Sequence, residues 1–278
     1  MYSGRPDRAR EIFRQLEAER PEHPLGYLLE AEALWWKLYC SSLEWKYNTL
    51  DAWTHTRGPE DDAYFALAAK TVQLAESAIA QSDTAEMELY AGMGYMLRAR
   101  LTALRYEKSP TARAGVEARK HLLRCLELDP NMADAYTGLG LYNYYVDTLS
   151  AMAKILRFFM GIPGGSKGEG LRQLETAIAR GELTSVEARF YKAKNLRNFD
   201  REYAQAAEAA APLVTEYPQN PLFLLLAADI AAKLGHNDEA ASELRAAADA
   251  PEVDAKCRAR LAKVVSEGLT AHGTAAKN

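Results

Sequence analysis

Apolar residues recur at intervals of three and four along most of the chain, which is the period of amphipathic helices. No segment shows the alternation of apolar and polar residues that is typical of a half-buried strand. Prolines, glycines and capping residues divide the helical pattern into segments. The pattern therefore predicts an all-α protein without a β-sheet, with helices at about 6–20, 24–52, 61–81, 84–107, 111–128, 132–158, 167–180, 185–197, 200–217, 221–234, 237–249 and 252–268.

The C-terminal part of the sequence repeats itself at an interval of 34 residues. A shift of 34 places Phe190 on Leu224 and Ala206 on Ala240. An alanine also precedes a proline by twelve residues at three places, in the segments 9–21, 118–130 and 206–218. Small residues at a fixed distance before a helix-ending proline are typical of helical hairpins whose helices cross closely.

The spacing resembles the tetratricopeptide (TPR) superfamily. The matching residues are Tyr136, Leu139 and Gly140 in one helix of a hairpin, and Ala118, Leu122 and Pro130 in the other. The resemblance, to a bacterial type with long irregular central hairpins, implies a right-handed α-α superhelix of about five hairpins plus a terminal helix. It also implies a concave groove that holds a peptide or a partner helix. The segment 140–165, which ends in G-I-P-G-G, is similar to the TPR branch that includes mitochondrial outer-membrane inclusion-clearance proteins.

We expect one domain over 1–278, with irregular long hairpins in 22–182, regular repeats in 187–250 and a terminal helix in 251–268. Two stretches depart from the repeat length. About 18 additional residues fall in 146–165, where a helix is expected to continue past its usual end. The stretch 24–60 is interpreted as a long first helix that carries Trp35, Trp36, Trp45 and Trp53.

The start of the chain matches the middle of a repeat. Gly4, Asp7 and Ala9 have the same spacing as Gly235, Asp238 and Ala240 at the turn of the last regular hairpin. We therefore expect that the native protein has residues before Met1, and that a helix at 6–20 leaves apolar residues uncovered. Self-association through this face is possible, and the compartment stays open, either cytoplasmic or exported with the signal removed. The residues that form this apolar stripe are Ile12, Phe13 and Leu16.

Composition and charge narrow the function classes. With 34 basic and 38 acidic residues the net charge is −4, which argues against a nucleic-acid partner. The most apolar stretch, 221–235, is too short to span a bilayer, so no transmembrane segment is expected. The three cysteines are far apart and are expected to be free buried thiols, and neither they nor the five histidines show metal-ligand spacing.

Two segments invite a chemical interpretation. The glycine-rich stretch 161–170 could hold a phosphate, but it fails the P-loop spacing, and a glycine turn that lets two helices pack is the favoured interpretation. The apolar stretch 155–162 could bind a partner or a membrane surface, with core packing favoured. Glu30 and Glu32 face different directions on a helix and form no catalytic pair. The sequence therefore predicts no enzyme, no catalytic residue, no metal and no cofactor.

The predicted groove is the strongest candidate for function. Helix positions that face the concave side in the TPR resemblance carry aromatic, amide and arginine side chains, as recognition surfaces do. These residues are Trp35, Trp36, Tyr95, Arg98, Leu141, Tyr144, Tyr145, Tyr191, Asn195, Asn198 and Phe199. The tryptophan pair could instead fill a core. We expect that replacing Tyr144 and Tyr191 together weakens partner binding and leaves the fold nearly intact.

Three hypotheses follow for the whole chain. The favoured one is a protein–protein interaction scaffold. The second is a binder of a small apolar ligand or lipid that the long hairpins enclose. The third is an enzyme with an unrecognised site, for which a cleft with strongly shifted pKa values would be the sign.

Overall fold

A computed structural model describes residues 1–54, 56–151, 153, 154, 157 and 161–275, and it confirms the helical prediction for most of the chain. The helices are α1 Pro6–Glu19, α2 Pro24–Ser41, α3 Pro59–Ile79, α4 Ala85–Leu104, α5 Lys108–Leu128, α6 Ala135–Thr148, α7 Lys167–Arg180, α8 Ser185–Asn195, α9 Tyr203–Glu216, α10 Pro221–Lys233, α11 Asn237–Ala248 and α12 Ala255–Ala275. A π-helical turn, Leu196–Asp200, follows α8. Two compact units form: unit 1 contains 1–11, 33–55 and 189–278, and unit 2 contains 12–32 and 56–188.

The prediction of a helix over 24–52 is wrong beyond Ser41. The strands β1 (Leu43–Lys46) and β2 (Thr49–Ala52) pair there in an antiparallel hairpin, so the expected absence of a β-sheet is also wrong. Tyr47 and Asn48 form the turn with φ values of 51° and 56°. Two successive positive φ values match the twist of a tight hairpin, and asparagine tolerates this conformation better than most residues.

The expected extension of the helix over 132–158 is wrong as well. Helix α6 ends at Thr148, and Leu149 has extended backbone with ψ of 147°. The described residues 151, 153, 154 and 157 are helical, but they follow this break. The apolar residues 155, 156 and 158–160 of the proposed partner or membrane element lie outside the described residues.

In unit 2, consecutive helices pack against each other, and glycines at their crossings allow a close approach. A Cβ added to Gly92 of α4 would lie 2.6 Å from Leu122 of α5, and one added to Gly138 of α6 would lie 2.3 Å from the same leucine. Gly140 of α6 and Gly170 of α7 meet backbone to backbone, since a Cβ on Gly170 would lie 2.6 Å from the Gly140 carbonyl oxygen. The predicted close crossing is confirmed at Gly140.

An aromatic cluster forms the core of unit 1. The Trp36 ring lies 5.0 Å from the Phe190 ring and 5.9 Å from the Phe223 ring, and Tyr39 lies 5.7 Å from Phe190. Helices α9 to α12 and the β-hairpin complete the unit. Ala206 is fully buried and so is Ala240, 34 residues later, which agrees with the repeat register.

The N-terminal segment adopts the turn that the sequence comparison predicted. Gly4 and Gly235 both have φ of +80°, a conformation that favours glycine. Within unit 2, Arg14 of α1 pairs with Glu30 of α2 at 2.8 Å, so α1 packs on α2 as expected. Ile12 is 55% exposed, whereas Phe13 and Leu16 are half-buried. The predicted self-association through this face stays a prediction.

The expectation of three free thiols is wrong for two of them. Cys40 and Cys257 form a disulfide across a sequence separation of 217 residues, with their Cα atoms 5.2 Å apart. Cys125 is free and buried. Sequence spacing could not reveal the pair, because only the fold brings α2 and α12 together.

Candidate functional site

The eleven predicted binding residues divide into a buried and a more accessible set. Six are buried, so the structure does not place them on an exposed groove: Trp35, Trp36, Leu141, Tyr144, Tyr191 and Asn195. Five are exposed or half-buried: Tyr95, Arg98, Tyr145, Asn198 and Phe199. Helical spacing cannot tell a helix face that meets solvent from one that meets another helix, so the binding role of these residues stays a prediction.

The tryptophan pair belongs to the core of unit 1, as the alternative interpretation of these residues held. Trp35 and Trp36 are both under 5% exposed, and their ring centres lie 5.9 and 6.4 Å from the Tyr39 ring. Helix α2 is apolar on nearly all sides, so its sequence gave no sign of which side is buried. Tyr144 is likewise buried in unit 2, where its backbone lies against Gly170.

The more accessible residues of unit 1 lie at the π-helical turn. Asn198 is half-buried and Phe199 is 51% exposed. The turn ends at Arg201, whose φ of 57° lies in the left-handed region. Single π-helical turns inside helices occur frequently at functional sites. This turn directs Arg197 inward, at 3% exposure, while the neighbouring Phe199 side chain faces solvent.

Asp51 of β2 is the centre of a buried polar network next to this turn. Its carboxylate accepts hydrogen bonds from the Tyr39 hydroxyl at 2.5 Å and from the Asn198 amide at 2.6 Å, and Lys194 Nζ lies 3.3 Å away. Burial by itself would raise the pKa of Asp51, but Lys194 and Arg197 together with the hydrogen bonds lower it. Burial and the neighbouring Asp51 raise the pKa of Tyr39 well above its ordinary value.

Asp229 of α10 extends the network to the turn of the β-hairpin. Arg197 Nη1 lies 2.9 Å from Asp229, and Lys233 Nζ lies 2.5 Å from the other carboxylate oxygen. Lys233 also donates to the Asn48 carbonyl at 2.8 Å. Burial lowers the pKa of Lys233 despite the adjacent carboxylate. We call Asp51, Lys194, Arg197, Asp229 and Lys233 the hairpin cluster.

The hairpin cluster fixes geometry. Three cations face two carboxylates, and each of these groups has an oppositely charged partner within 4 Å. A buried network of this kind holds its elements in one arrangement, because breaking it would strand a charge away from water. It thereby holds the two turns that carry exposed aromatic side chains: Phe199 on the π-helical turn, and Tyr47, which is 88% exposed, on the hairpin turn. We call these two side chains the aromatic pair.

Helical spacing predicted Asn195, Asn198 and Phe199 as binding residues, but it did not single out Asp51, Arg197 or Asp229. A charged residue in a helix is normally assigned to a solvated face, and nothing in the helical period marks these as buried. The hairpin could have been found from β-forming residues on both sides of Tyr47 and Asn48, since an asparagine at a two-residue turn is a hairpin signal.

A second polar group in unit 2 contains Tyr95 and Arg98. The Tyr95 hydroxyl donates to Glu76 at 2.8 Å, and its ring stacks on His121 with ring centres 5.6 Å apart. The Arg98 guanidinium lies 5.7 Å above the Tyr95 ring, and His121 Nδ1 lies 2.6 Å from Glu88. Burial, followed by the hydrogen bond to Glu76, raises the pKa of Tyr95 to about 12. Tyr95 and Arg98 thus lie together, whereas Tyr145 contacts Tyr144 on α6.

The glycine-rich stretch 161–170 acts as a packing turn, as the favoured interpretation predicted. Gly161 has φ of +67°, and a Cβ on Gly165 would lie 2.6 Å from the Asn143 carbonyl oxygen. Ser166 caps α7 by accepting from the Glu169 amide. Among the residues that the structure describes, no group of three or more histidine, cysteine, aspartate or glutamate side chains is arranged to hold a metal. Within the same residues, no helix is both long and apolar enough to cross a membrane.

Comparisons with known proteins add little to this description. No protein-family model matches the chain, and no curated protein matches it. A search of solved structures finds the crystal structure of yeast Tom70, with 13% sequence identity and a TM-score of 0.33. That match covers 95% of this chain but only 59% of the yeast chain.

Proposed function

We propose that this chain is a helical-repeat scaffold that binds a peptide or partner helix at the aromatic pair of unit 1. The observation that carries the proposal is the exposed Phe199 ring on a π-helical turn whose preceding residues are locked into the hairpin cluster. Exposed aromatic side chains on a rigid support are the usual anchors of protein interfaces, because they bury a large area at a small cost in conformational entropy.

The arrangement of charges supports a scaffold over an enzyme. In unit 1 the hydroxyl of Tyr39, whose pKa is raised well above its ordinary value, donates to Asp51, whose pKa is lowered, inside the protein. In unit 2 the pKa of Glu187 is raised to about 8, and this side chain is also buried. Catalysis would require such groups to face a cleft where a substrate could reach them. The alternative of a small apolar ligand enclosed by the long hairpins of 24–60 and 146–165 stays a prediction, and no observation on the described residues favours it.

The test is selection of binding peptides from a displayed library against the intact protein, followed by affinity measurement by fluorescence anisotropy. Phe199→Ala is expected to weaken selected peptides by about tenfold or more, the usual effect of losing an aromatic anchor. Leu128→Ala removes an exposed apolar side chain of unit 2 and serves as the control. A photo-crosslinking residue at position 199 then identifies the natural partner in cells.

Two outcomes would contradict the proposal. Selected peptides could bind the Phe199→Ala and Tyr47→Ala variants as tightly as the unaltered protein. Alternatively, the Leu128→Ala variant could lose as much affinity as Phe199→Ala. Either result would mean that the peptides bind at another surface. Tyr95 and Arg98 of unit 2 would then be the next residues to substitute.

A further inference from the structure

The segment 2–5 precedes α1 and lies on the surface of unit 1 without helical or strand structure. Tyr2, Gly4 and Arg5 are half-buried, and Ser3 is exposed. The first three nevertheless contact different kinds of group on unit 1, through a ring, a backbone atom and a charge. Peptides contact their binding sites in the same way, since both the side chains and the backbone are recognised.

The Tyr2 ring packs against three aromatic rings of unit 1. Its centre lies 5.8 Å from Trp36, 6.0 Å from Tyr217 and 6.4 Å from Phe223. Trp36 is 4% exposed and Phe223 is fully buried, so the core holds both of these rings in place. Aromatic pairs at this spacing are favourable beyond the area that they bury. This part of the surface therefore selects an aromatic side chain.

Asn220 and Gly4 fix the backbone of the segment. The Asn220 amide Nδ2 donates to the Tyr2 carbonyl at 2.9 Å, while its Oδ1 accepts from the Leu222 amide at 3.0 Å and caps α10. Asn220 is 4% exposed, so the capping bond already orients this donor. Gly4 has φ of +80°, and a Cβ on it would lie 2.6 Å from the Gln219 carbonyl oxygen. The position therefore requires glycine.

Arg5 adds a charge to the contact. Its Nε lies 3.3 Å from Glu252, and the two side chains are 37% and 48% exposed. Such an ion pair contributes little stability, but it disfavours an acidic residue at this place. Together the contacts specify a segment of the form aromatic-x-Gly-Arg. We call the residues that hold it the cradle: Trp36, Tyr217, Asn220, Phe223 and Glu252.

The cradle is held more firmly than the segment that occupies it. Trp36 lies on α2, Phe223 lies on α10 and Asn220 caps α10, whereas the segment belongs to no helix or strand. Partly exposed segments of this kind open at a low cost in free energy, while buried residues of helices do not. The segment can therefore leave while the cradle keeps its shape.

The segment also fits the cradle incompletely. A cavity of about 20 Å³ remains beside Gly4 and Trp36, with room for about one water. The buried Trp36 indole N–H has no hydrogen-bond partner among the residues that the structure describes. Residues 2–5 thus leave one donor of the cradle unused.

We propose that the cradle is a second peptide-binding site, which takes a partner segment of the form aromatic-x-Gly-Arg, and that residues 2–5 occupy it when no partner is bound. The occupant in the structure shows which chemistry the site recognises. Because the internal segment competes with the partner, the apparent affinity falls with the fraction of molecules in which the cradle is open. The cradle shares no residue with the aromatic pair, so this proposal does not depend on the proposed function.

The test uses a fluorescein-labelled peptide with the sequence of residues 1–6 and measures its binding to the full chain by fluorescence anisotropy. The peptide is expected to bind the unaltered protein weakly. Tyr2→Ala removes the ring of the internal segment and should strengthen peptide binding by about tenfold or more. Because Tyr2 is a half-buried surface residue, a melting temperature close to that of the unaltered protein serves as the check on folding.

Two changes test the recognition itself, both measured with the Tyr2→Ala protein. A Gly4→Ala peptide should bind about tenfold more weakly or worse, because its methyl group would meet the Gln219 carbonyl. Asn220→Asp keeps the oxygen that caps α10 and removes the donor to the peptide carbonyl, so it should weaken the unaltered peptide by about tenfold. Phe199→Ala should weaken the library-selected peptides and not this one, which separates the two sites.

Four results would overturn the proposal. The first is no binding of the peptide to the unaltered protein up to about 1 mM, because residues 2–5 would then be a fixed part of the fold. The second is equal affinity of the unaltered and Tyr2→Ala proteins, and the third is equal affinity of the two peptides. The fourth is a dimer of the unaltered protein in analytical ultracentrifugation that Gly4→Ala abolishes, since a second copy would then be the occupant.

Discussion

Two buried carboxylates in unit 2 share one guanidinium, and this predicts a specific dependence of stability on pH. Arg100 of α4 forms two hydrogen bonds with Glu32 of α2, at 2.6 and 2.9 Å. The same Arg100 Nη2 lies 2.9 Å from Glu187 of α8. Both glutamates are at most 3% exposed. One positive charge cannot neutralise two carboxylates, so the site favours a proton on one of them.

Glu187 is the carboxyl that holds this proton. Burial, with the negative charge of Glu32 adding to it and Arg100 opposing, raises the pKa of Glu187 from its ordinary 4.5 to about 8. A group whose pKa is higher in the folded state stabilises the fold fully below its unfolded pKa, and this contribution is lost as the pH rises through the folded value. The free energy of unfolding should therefore fall between pH 4.5 and about 8. The size of the pKa change sets a ceiling of about 5 kcal/mol on this effect.

Glu187→Gln removes the titration and keeps the shape of the side chain. Urea unfolding followed by circular dichroism from pH 5 to pH 9 would compare this variant with the unaltered protein. The variant is expected to match the unaltered protein at pH 5 and to exceed it by roughly 2–4 kcal/mol at pH 9, below the ceiling because Glu32 shares the guanidinium. Glu32→Gln should weaken the pH dependence, because Arg100 then faces one carboxylate.

The control for this experiment is an exposed glutamate. Glu239→Gln changes a side chain that is 62% exposed, and it should leave the pH profile parallel to that of the unaltered protein. A constant difference between Glu187→Gln and the unaltered protein across the pH range would refute the assignment of the proton. So would a variant that loses relative stability as the pH rises.

Two further predictions concern packing. Gly140→Leu and Ala206→Phe should each lower the free energy of unfolding by about 1–3 kcal/mol or more, because both overfill a helix crossing. Unchanged melting temperatures would show that the repeat register is wrong. The structure reverses the expectation for Tyr144 and Tyr191, because both side chains are buried. Replacing either one with alanine should lower the free energy of unfolding by about 3–5 kcal/mol, which thermal unfolding would measure. A variant that loses binding but keeps its melting temperature would contradict this prediction.

Sequence periodicity predicted the repeats well where proline and glycine mark their ends. In the C-terminal part, α10 begins at Pro221 and its turn contains Gly235, so the predicted bounds are close to the observed ones. Helix α2 also begins at a proline, Pro24, but no proline or glycine marks its end at Ser41. Apolar and polar residues alternate only briefly after it, from Leu43 to Lys46, so the helical period did not separate the hairpin from the helix.

The polar interior was the least predictable part of the structure. Thr184 and Glu187 have the spacing of a capping box at the start of α8. In the structure, however, the Thr184 amide donates to Asp134 at 2.8 Å, and the Glu187 side chain pairs with Arg100 on a helix distant in sequence. Long-range pairs of this kind, like the disulfide, depend on tertiary structure that spacing alone does not encode.

The repeat alignment also explains why the candidate site lies where it does. Arg201 is 34 residues before Gly235, and both residues have positive φ at the turn between the two helices of a hairpin. A left-handed backbone conformation destabilises a non-glycine residue by roughly 1–2 kcal/mol. The first regular helical hairpin has this destabilisation at Arg201, whereas the second has a glycine, Gly235, at the same position. The same hairpin differs from the second by its π-helical turn, which directs Arg197 into the hairpin cluster and Phe199 outward. The repeat geometry thus sets the position of Arg197 and Phe199, while Asp51 and Tyr47 of the β-hairpin, which lie outside the repeats, complete the site.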